Sequence, residues 1–293
     1  MGSALPQFAL FLAVVTRPTY RALTAGRPER VKAWAAAQGL EVTADNEAML
    51  TAHLRRSGRC RAAGALAGLA FAILVPEHEV RVYQAPRPGG NIGFVSLWAV
   101  SLGYLAGSLA GELGGRRPSG VPRPNRTASL SPRELYDYVP PVARRWLATG
   151  AAATVAAATA FLLLPMSDSR AFGRAVVAVV PSAVAVALAL AAPRLARMLV
   201  LRPQPVGTPS AVAADDALRS LGARAVVAAG VVTVFLSLGV ELFALTLTDV
   251  RFLRGTAWVP ALGTLGFAYG AWRALVEPGS WRVRRNVVGE RGA

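Results

Sequence analysis

The sequence predicts an all-α fold, a polytopic helical membrane protein, and three observations predict it. The chain contains apolar runs near 20 residues long that carry almost no charge. At a rise of about 1.5 Å per residue, such a run crosses a hydrocarbon core about 30 Å thick. Charged residues make up 16% of the chain and hydrophobic ones 54%, whereas soluble domains carry roughly 25% charged residues. The third observation is where the basic residues fall. Segments 17–61, 114–145, 194–224 and 273–293 hold 26 of the 32 Lys and Arg, and the turns between them hold 6. The positive-inside rule places the first set in the cytoplasm. Six transmembrane helices are expected, seven if the N-terminal apolar segment also spans. They form three helical hairpins with cytoplasmic connecting segments, a single membrane domain over 1–293 in a bacterial cell membrane, with a cytoplasmic C-terminus.

Taken in order, residues 2–15 are apolar and lack the basic start of a signal peptide, and they cover only about 21 Å. Basic residues follow them. The segment is therefore read as a thin outside-in span or an interfacial or re-entrant helix. Residues 17–60 read as a cytoplasmic helical segment in two pieces. Pro28 and Glu29 open the first piece and Gly39 closes it. Thr43 caps the second, with Asp45 and Glu47 in its first turn and Arg55 and Arg56 in its last. Residues 62–76 and 92–113 are the first two confident spans. The second carries a row of small residues every four positions: Ala99, Gly103, Gly107, Gly111 and Gly115. The first has a shorter row, Gly64, Gly68 and Ala72. Rows of this kind let two helix backbones approach closely, so these two helices are expected to pack as a hairpin.

Residues 114–145 form a basic linker rich in Pro and Gly. Within it, Ser131 and Glu134 read as a capping box opening a short helix to about Val139, which Pro140 and Pro141 stop. Residues 146–165 and 171–192 are the next spans. Pro181 is a candidate kink, and a helix is expected to run on past Pro193 along the membrane surface. Asp215 and Asp216 read as cap and dipole partners before the span at 224–248. The last span is 258–276, followed by a basic tail, 277–293. The plan repeats loosely three times: polar cytoplasmic segment, span, short external turn, span.

Composition also excludes. A pI near 11.5 would point to nucleic acid in a soluble protein. Here the charge lines a cytoplasmic rim facing anionic lipid headgroups, so no nucleic acid is expected. The single cysteine, Cys60, rules out an intrachain disulfide and a cysteine-based zinc site. His53 and His78 fall on opposite sides of the membrane. The cluster Glu77, His78 and Glu79 offers at most a weak surface metal site. No metal, cofactor or catalytic motif is expected: HExxH, GxSxG and GxxxxGK[ST] are all absent.

Glu241 is the candidate intramembrane site. Its position along the helix puts it in the outer third of the bilayer, where an acid faces protein or water and not lipid. It reads either as a proton, cation or substrate contact or as a structural acid. In the second case it pairs with Arg170, Arg174, Arg251 or Arg254, or bonds Thr246. Ser182, Thr233, Ser237 and Thr264 are the other polar candidates between spans. Glu112 and Glu277 read as anchors at cytoplasmic helix ends, near Arg116 and Arg273.

The phrases GLEVTADNEAML, SPRELYDYVPP and VAADDALRSLGARA resemble segments of uncharacterised multi-span membrane proteins of high-GC actinobacteria. Arginine accounts for 31 of the 32 Lys and Arg, a usage expected of a high-GC genome. The resemblance implies no activity and transfers no site residues. Some proteins of that group resemble partners of ABC-type ATPases. The expected function is the membrane-spanning component of a transport or export system acting with an external ATPase, docked on segments 17–60 and 194–222. The alternative is a non-transporting scaffold, sensor or regulatory subunit.

Overall fold

In the computed structural model, residue 20 and residues 23–74, 92–114, 134–164, 171–202, 208–248 and 250–276 are described. They form eight α-helices: α1 (Pro28–Ala37), α2 (Ala44–Leu74), α3 (Ile92–Gly114), α4 (Pro141–Leu163), α5 (Ala171–Val200), α6 (Pro209–Ala244), α7 (Arg251–Thr256) and α8 (Trp258–Val276). No strand occurs among the described residues. The N-terminal segment 2–15, the Glu77–His78–Glu79 cluster, most of the basic linker with Ser131, and Gly115, Arg116 and Glu277 lie outside them.

Among the described residues, three helices are long and apolar enough to cross a membrane: Pro141–Leu163, Ala175–Val200 and Pro209–Ala244. The third is the axis of the molecule. It is buried along most of its length and packs against α2, α3, α4, α5 and α8. Its apolar ridge (Val226, Val227, Val231 and Val234) meets Leu147 of α4, Ala192 and Leu199 of α5, and Leu275 of α8. Near the start of α6, Leu218 and Leu221 close a smaller core with Val31 of α1 and with Leu50 and Leu54 of α2. We call this end of the bundle, which holds the starts of α2 and α6 and the end of α3, the basal end. Phe161, Val177, Ala178, Ala244 and Leu245 form an apolar cluster at the distal end.

α1 ends where the sequence signals a stop. Gly39 takes a positive φ of 65°, and the N–H groups of Gly39 and Leu40 donate back to the carbonyls of Ala36 and Ala35. This is the left-handed cap that glycine adopts at least cost.

Several boundaries differ from the sequence reading. The second cytoplasmic piece and the first span form one continuous helix, α2, because no proline interrupts residues 44–74; the change from polar to apolar side chains does not break a backbone. Thr43 sits before α2, but its N–H is bonded by the Asn46 side chain (2.9 Å) and its hydroxyl donates to Ser210 of α6 (3.3 Å). The short helix expected before Pro140 is a single 3₁₀ turn, Leu135–Asp137, with Asp137 accepting from the Glu134 N–H. Pro140 and Pro141 leave too little chain for more, since a residue before proline is pushed out of the α region. α4 then starts on Pro141 itself. α5 continues through Pro193, and Ala196, Leu199 and Val200 of this stretch are core residues while Arg194, Arg197 and Met198 are exposed. α6 begins at Pro209, which puts Asp215 and Asp216 in its second turn, away from the cap. It ends at Ala244 in a 3₁₀ turn, Leu245–Leu247. The turn before α8 contains the short helix α7.

Candidate functional site

The glycine rows lie in the α2–α3 interface. A methyl group built on Gly64 would sit 2.9 Å from the Cα and N of Gly107; one on Gly68 would sit 2.9 Å from the Ala99 carbonyl carbon. Gly103 faces Gly64 and Gly68, Gly107 faces Cys60 and Arg61, and Gly111 faces Ser57. Successive contacts move up α2 as they move back along α3, so the helices are antiparallel. Their backbones touch, as small-residue rows allow.

Followed to the basal end, the same interface becomes polar. His53, Ser57 and Arg61 stand four residues apart on one face of α2 and converge on Glu112 near the end of α3. Ser57 Oγ donates to Glu112 Oε1 at 3.1 Å, and His53 Nε2 and Arg61 Nη2 each lie 3.5 Å from that oxygen. Glu112 is 2% exposed. Its other oxygen lies against Gly222 of α6: a methyl there would come within 2.7 Å of Oε2. Arg202, just past α5, donates to the Glu112 carbonyl. Glu112 thus joins α2, α3 and α6 with Arg202 just past α5; Arg116 lies outside the described residues.

Beside it, Arg219 is 6% exposed and grips Asp215 through Nη2 at 2.6 Å and Nε at 2.7 Å. It also donates to the carbonyls of Val200 and Arg202. Asp216, next in sequence, accepts from the Tyr138 hydroxyl at 2.8 Å. Between these groups lies a cleft of about 280 Å³ whose polar lining is His53, Arg56, Glu112, Arg202, Asp215 and Arg219.

Glu241 lies on α6 about 28 Å from Gly222, counting 19 residues at about 1.5 Å each. It is 0% exposed, and neither carboxylate oxygen has a hydrogen-bond partner among the described residues. Thr246 donates to the Phe243 carbonyl, and Arg251 is exposed; the side chains of Arg170, Arg174 and Arg254 lie outside the described residues. Thr233, Ser237 and Glu241 follow one another every four residues on the same face of α6. Ser237 Oγ accepts from Trp98 Nε1 of α3 at 2.9 Å, and Thr233 bonds back to the Ala229 carbonyl. Glu112 against Gly222 and Trp98 against Ser237 fix α3 as antiparallel to α6. On α6 these three polar side chains form a short row toward the distal end; between it and Glu112 the same face carries Ala229, Ala225 and Leu221. The hydroxyl of Ser108, on α3 between Trp98 and Glu112, is buried without a hydrogen-bond partner among the described residues. Ser182 and Thr264 lie on other helices: Ser182 Oγ has no hydrogen-bond partner among the described residues, and Thr264 bonds the Ala261 carbonyl. A buried carboxylate without a partner is costly as an anion, and such positions commonly serve protons, cations or substrate.

Among the described residues no group of three or more His, Cys, Asp or Glu side chains could hold a metal ion. Comparison with protein-family models, with characterised proteins and with solved structures finds no match.

The sequence reading missed the Glu112 hub. Its signal was the glycine face of α2, carried three residues back from Gly64 to Arg61 and then by fours to Ser57 and His53.

Proposed function

We propose that this chain is the membrane-spanning component of a transport or export system and acts with an ATPase supplied by another chain. The observation that carries this reading is Glu241: fully buried, without a hydrogen-bond partner among the described residues, and continuous with the hydroxyl row on α6. A bundle built only to hold its shape gains nothing from an unpaired interior acid, whereas a path for a polar solute or a proton needs one. In this reading six helices span, and the basal end faces the cytoplasm, in keeping with the basic segments that connect at it. The partner docks on segments 17–60 and 194–222, which contribute α1, the start of α2, the end of α5 and the start of α6.

A second reading, a closed scaffold or sensor, is favoured by the backbone contact of α2 with α3, which leaves no room for a path in that interface. Capture of the tagged chain from its native membrane in mild detergent, with mass spectrometry of what co-purifies, separates the two. An ATPase recovered in stoichiometric amount is the expected result. The chain alone, or with a partner that is not an ATPase, sinks the transport reading in this form.

A further inference from the structure

We propose that the basal cleft between α2, α3, α5 and α6 binds a phosphate group. This inference is independent of the transport reading. Three arginines line the cleft, Arg56, Arg202 and Arg219, with His53 beside them. Arg61 stands behind Glu112 at 3.5 Å. Against these four guanidiniums stand two carboxylates, and both are engaged. Asp215 is held by two nitrogens of Arg219 at 2.6 and 2.7 Å. Glu112 is held by Ser57 at 3.1 Å and by Arg61 and His53 at 3.5 Å. The cluster keeps a surplus of about two positive charges, which is close to the roughly −1.5 to −2 of a phosphate monoester near neutral pH.

Arg56 is exposed at the cleft, and no ion pair or hydrogen bond engages it among the described residues. Its planar fork is free to take a phosphate through two parallel hydrogen bonds. Arg202 is oriented from across the cleft by its bond to the Glu112 carbonyl. The volume is about 280 Å³. It lies below the usual range for drug-sized ligands, about 300–1,000 Å³. A single phosphate with a small substituent fits. That phosphate is either a free ion or metabolite, or the headgroup of an anionic lipid reaching in from the membrane rim.

The test uses the full chain in phosphatidylcholine nanodiscs. Its melting midpoint is followed against inorganic phosphate, with chloride at matched ionic strength to remove screening effects. A saturable rise with phosphate is expected. Arg56→Gln should raise the half-saturating concentration by about tenfold, as for loss of one charge-assisted contact, and Arg56→Lys should fall between. The midpoint without phosphate should not move, because Arg56 is exposed. Arg59→Gln, an exposed arginine that does not line the cleft, should behave as wild type. If inorganic phosphate has no effect but phosphatidic acid in the disc gives an Arg56-dependent rise, the site is a headgroup site. The proposal is overturned if neither shifts the wild-type midpoint, if Arg56→Gln responds as wild type does, or if Arg59→Gln weakens the response as much as Arg56→Gln.

Discussion

Gly107→Ala pits two effects of known sign against each other. Alanine improves helix propensity over glycine by about 1 kcal/mol. In this position, however, the added methyl would overlap the carbonyl oxygen of Cys60 and stand 2.9 Å from its carbonyl carbon. Carbon atoms in contact prefer roughly 3.5–4.0 Å, so α2 and α3 would have to part by up to about 1 Å. The obstacle is backbone, which cannot rotate aside. Parting the helices also loosens the neighbouring contacts at Gly64, Gly103 and Gly111. Overpacking of this kind costs about 1–3 kcal/mol, and a gap approaching 1 Å forfeits up to about half of each dispersion contact along the interface. The cost should reach or exceed the upper end of that range, leaving a net loss of about 2 kcal/mol or a fall in melting midpoint of about 5 °C. Gly266→Ala on α8 is the matched control, because a methyl there meets nothing within 4 Å; its midpoint should hold or rise. Thermal unfolding in mild detergent compares the two directly. If Gly107→Ala melts at or above wild type, the backbone contact between α2 and α3 is not what holds the pair.

Other outcomes follow from the same contacts. Glu241→Gln should melt no lower than wild type, because neither carboxylate oxygen has a hydrogen-bond partner to lose among the described residues. Under the transport reading, the same change in a complex with a co-purifying ATPase should abolish substrate-stimulated turnover; an equal loss of folded protein would mark Glu241 as structural. Glu112→Gln strips a buried acid from Arg61 and His53 and should cost about 3 kcal/mol, as breaking one side of a buried pair does. Adding Arg61→Met should recover part of that loss in a double-mutant cycle of melting midpoints, and strict additivity would refute the pairing. Ser237→Ala removes the acceptor of Trp98 Nε1 and should cost about 1 kcal/mol, with a change in tryptophan emission; unchanged emission and stability would count against that bond.

Much of the fold was legible because its signals are local. Apolar length marks α4, α5 and α6 as candidate spans, Pro28 and Gly39 bracket α1, and the four-residue glycine spacing places the α2–α3 contact. What was not legible is where polarity changes without a change of backbone. α2 passes from charged to apolar with no break, and α6 starts well before its apolar run. Asp215 and Asp216 therefore become partners of Arg219 and Tyr138 instead of caps. The Glu112 hub joins residues 53, 57, 61, 112, 202 and 222. Each alone reads as an ordinary helix-end charge, small polar group or glycine, and only the antiparallel packing of α2, α3 and α6 brings them together. Glu241 stood out in the sequence because it is the one acid in its run, but its lack of a hydrogen-bond partner is a property of the packing.

The central claim is that the α6 row carrying Ser237 and Glu241 can be reached by a polar solute. The chain has one native cysteine, Cys60, so a Cys60→Ser background leaves a single thiol wherever one is introduced. Ser237→Cys and Leu190→Cys are compared in native membranes for reaction with a charged thiol reagent that does not cross bilayers. Leu190 is exposed on the apolar outer face of α5 and should not react. Modification of Ser237→Cys well above the Leu190→Cys background is the predicted result. Ser237→Cys as inert as Leu190→Cys would mean a sealed bundle, and would contradict the transport reading in favour of a scaffold.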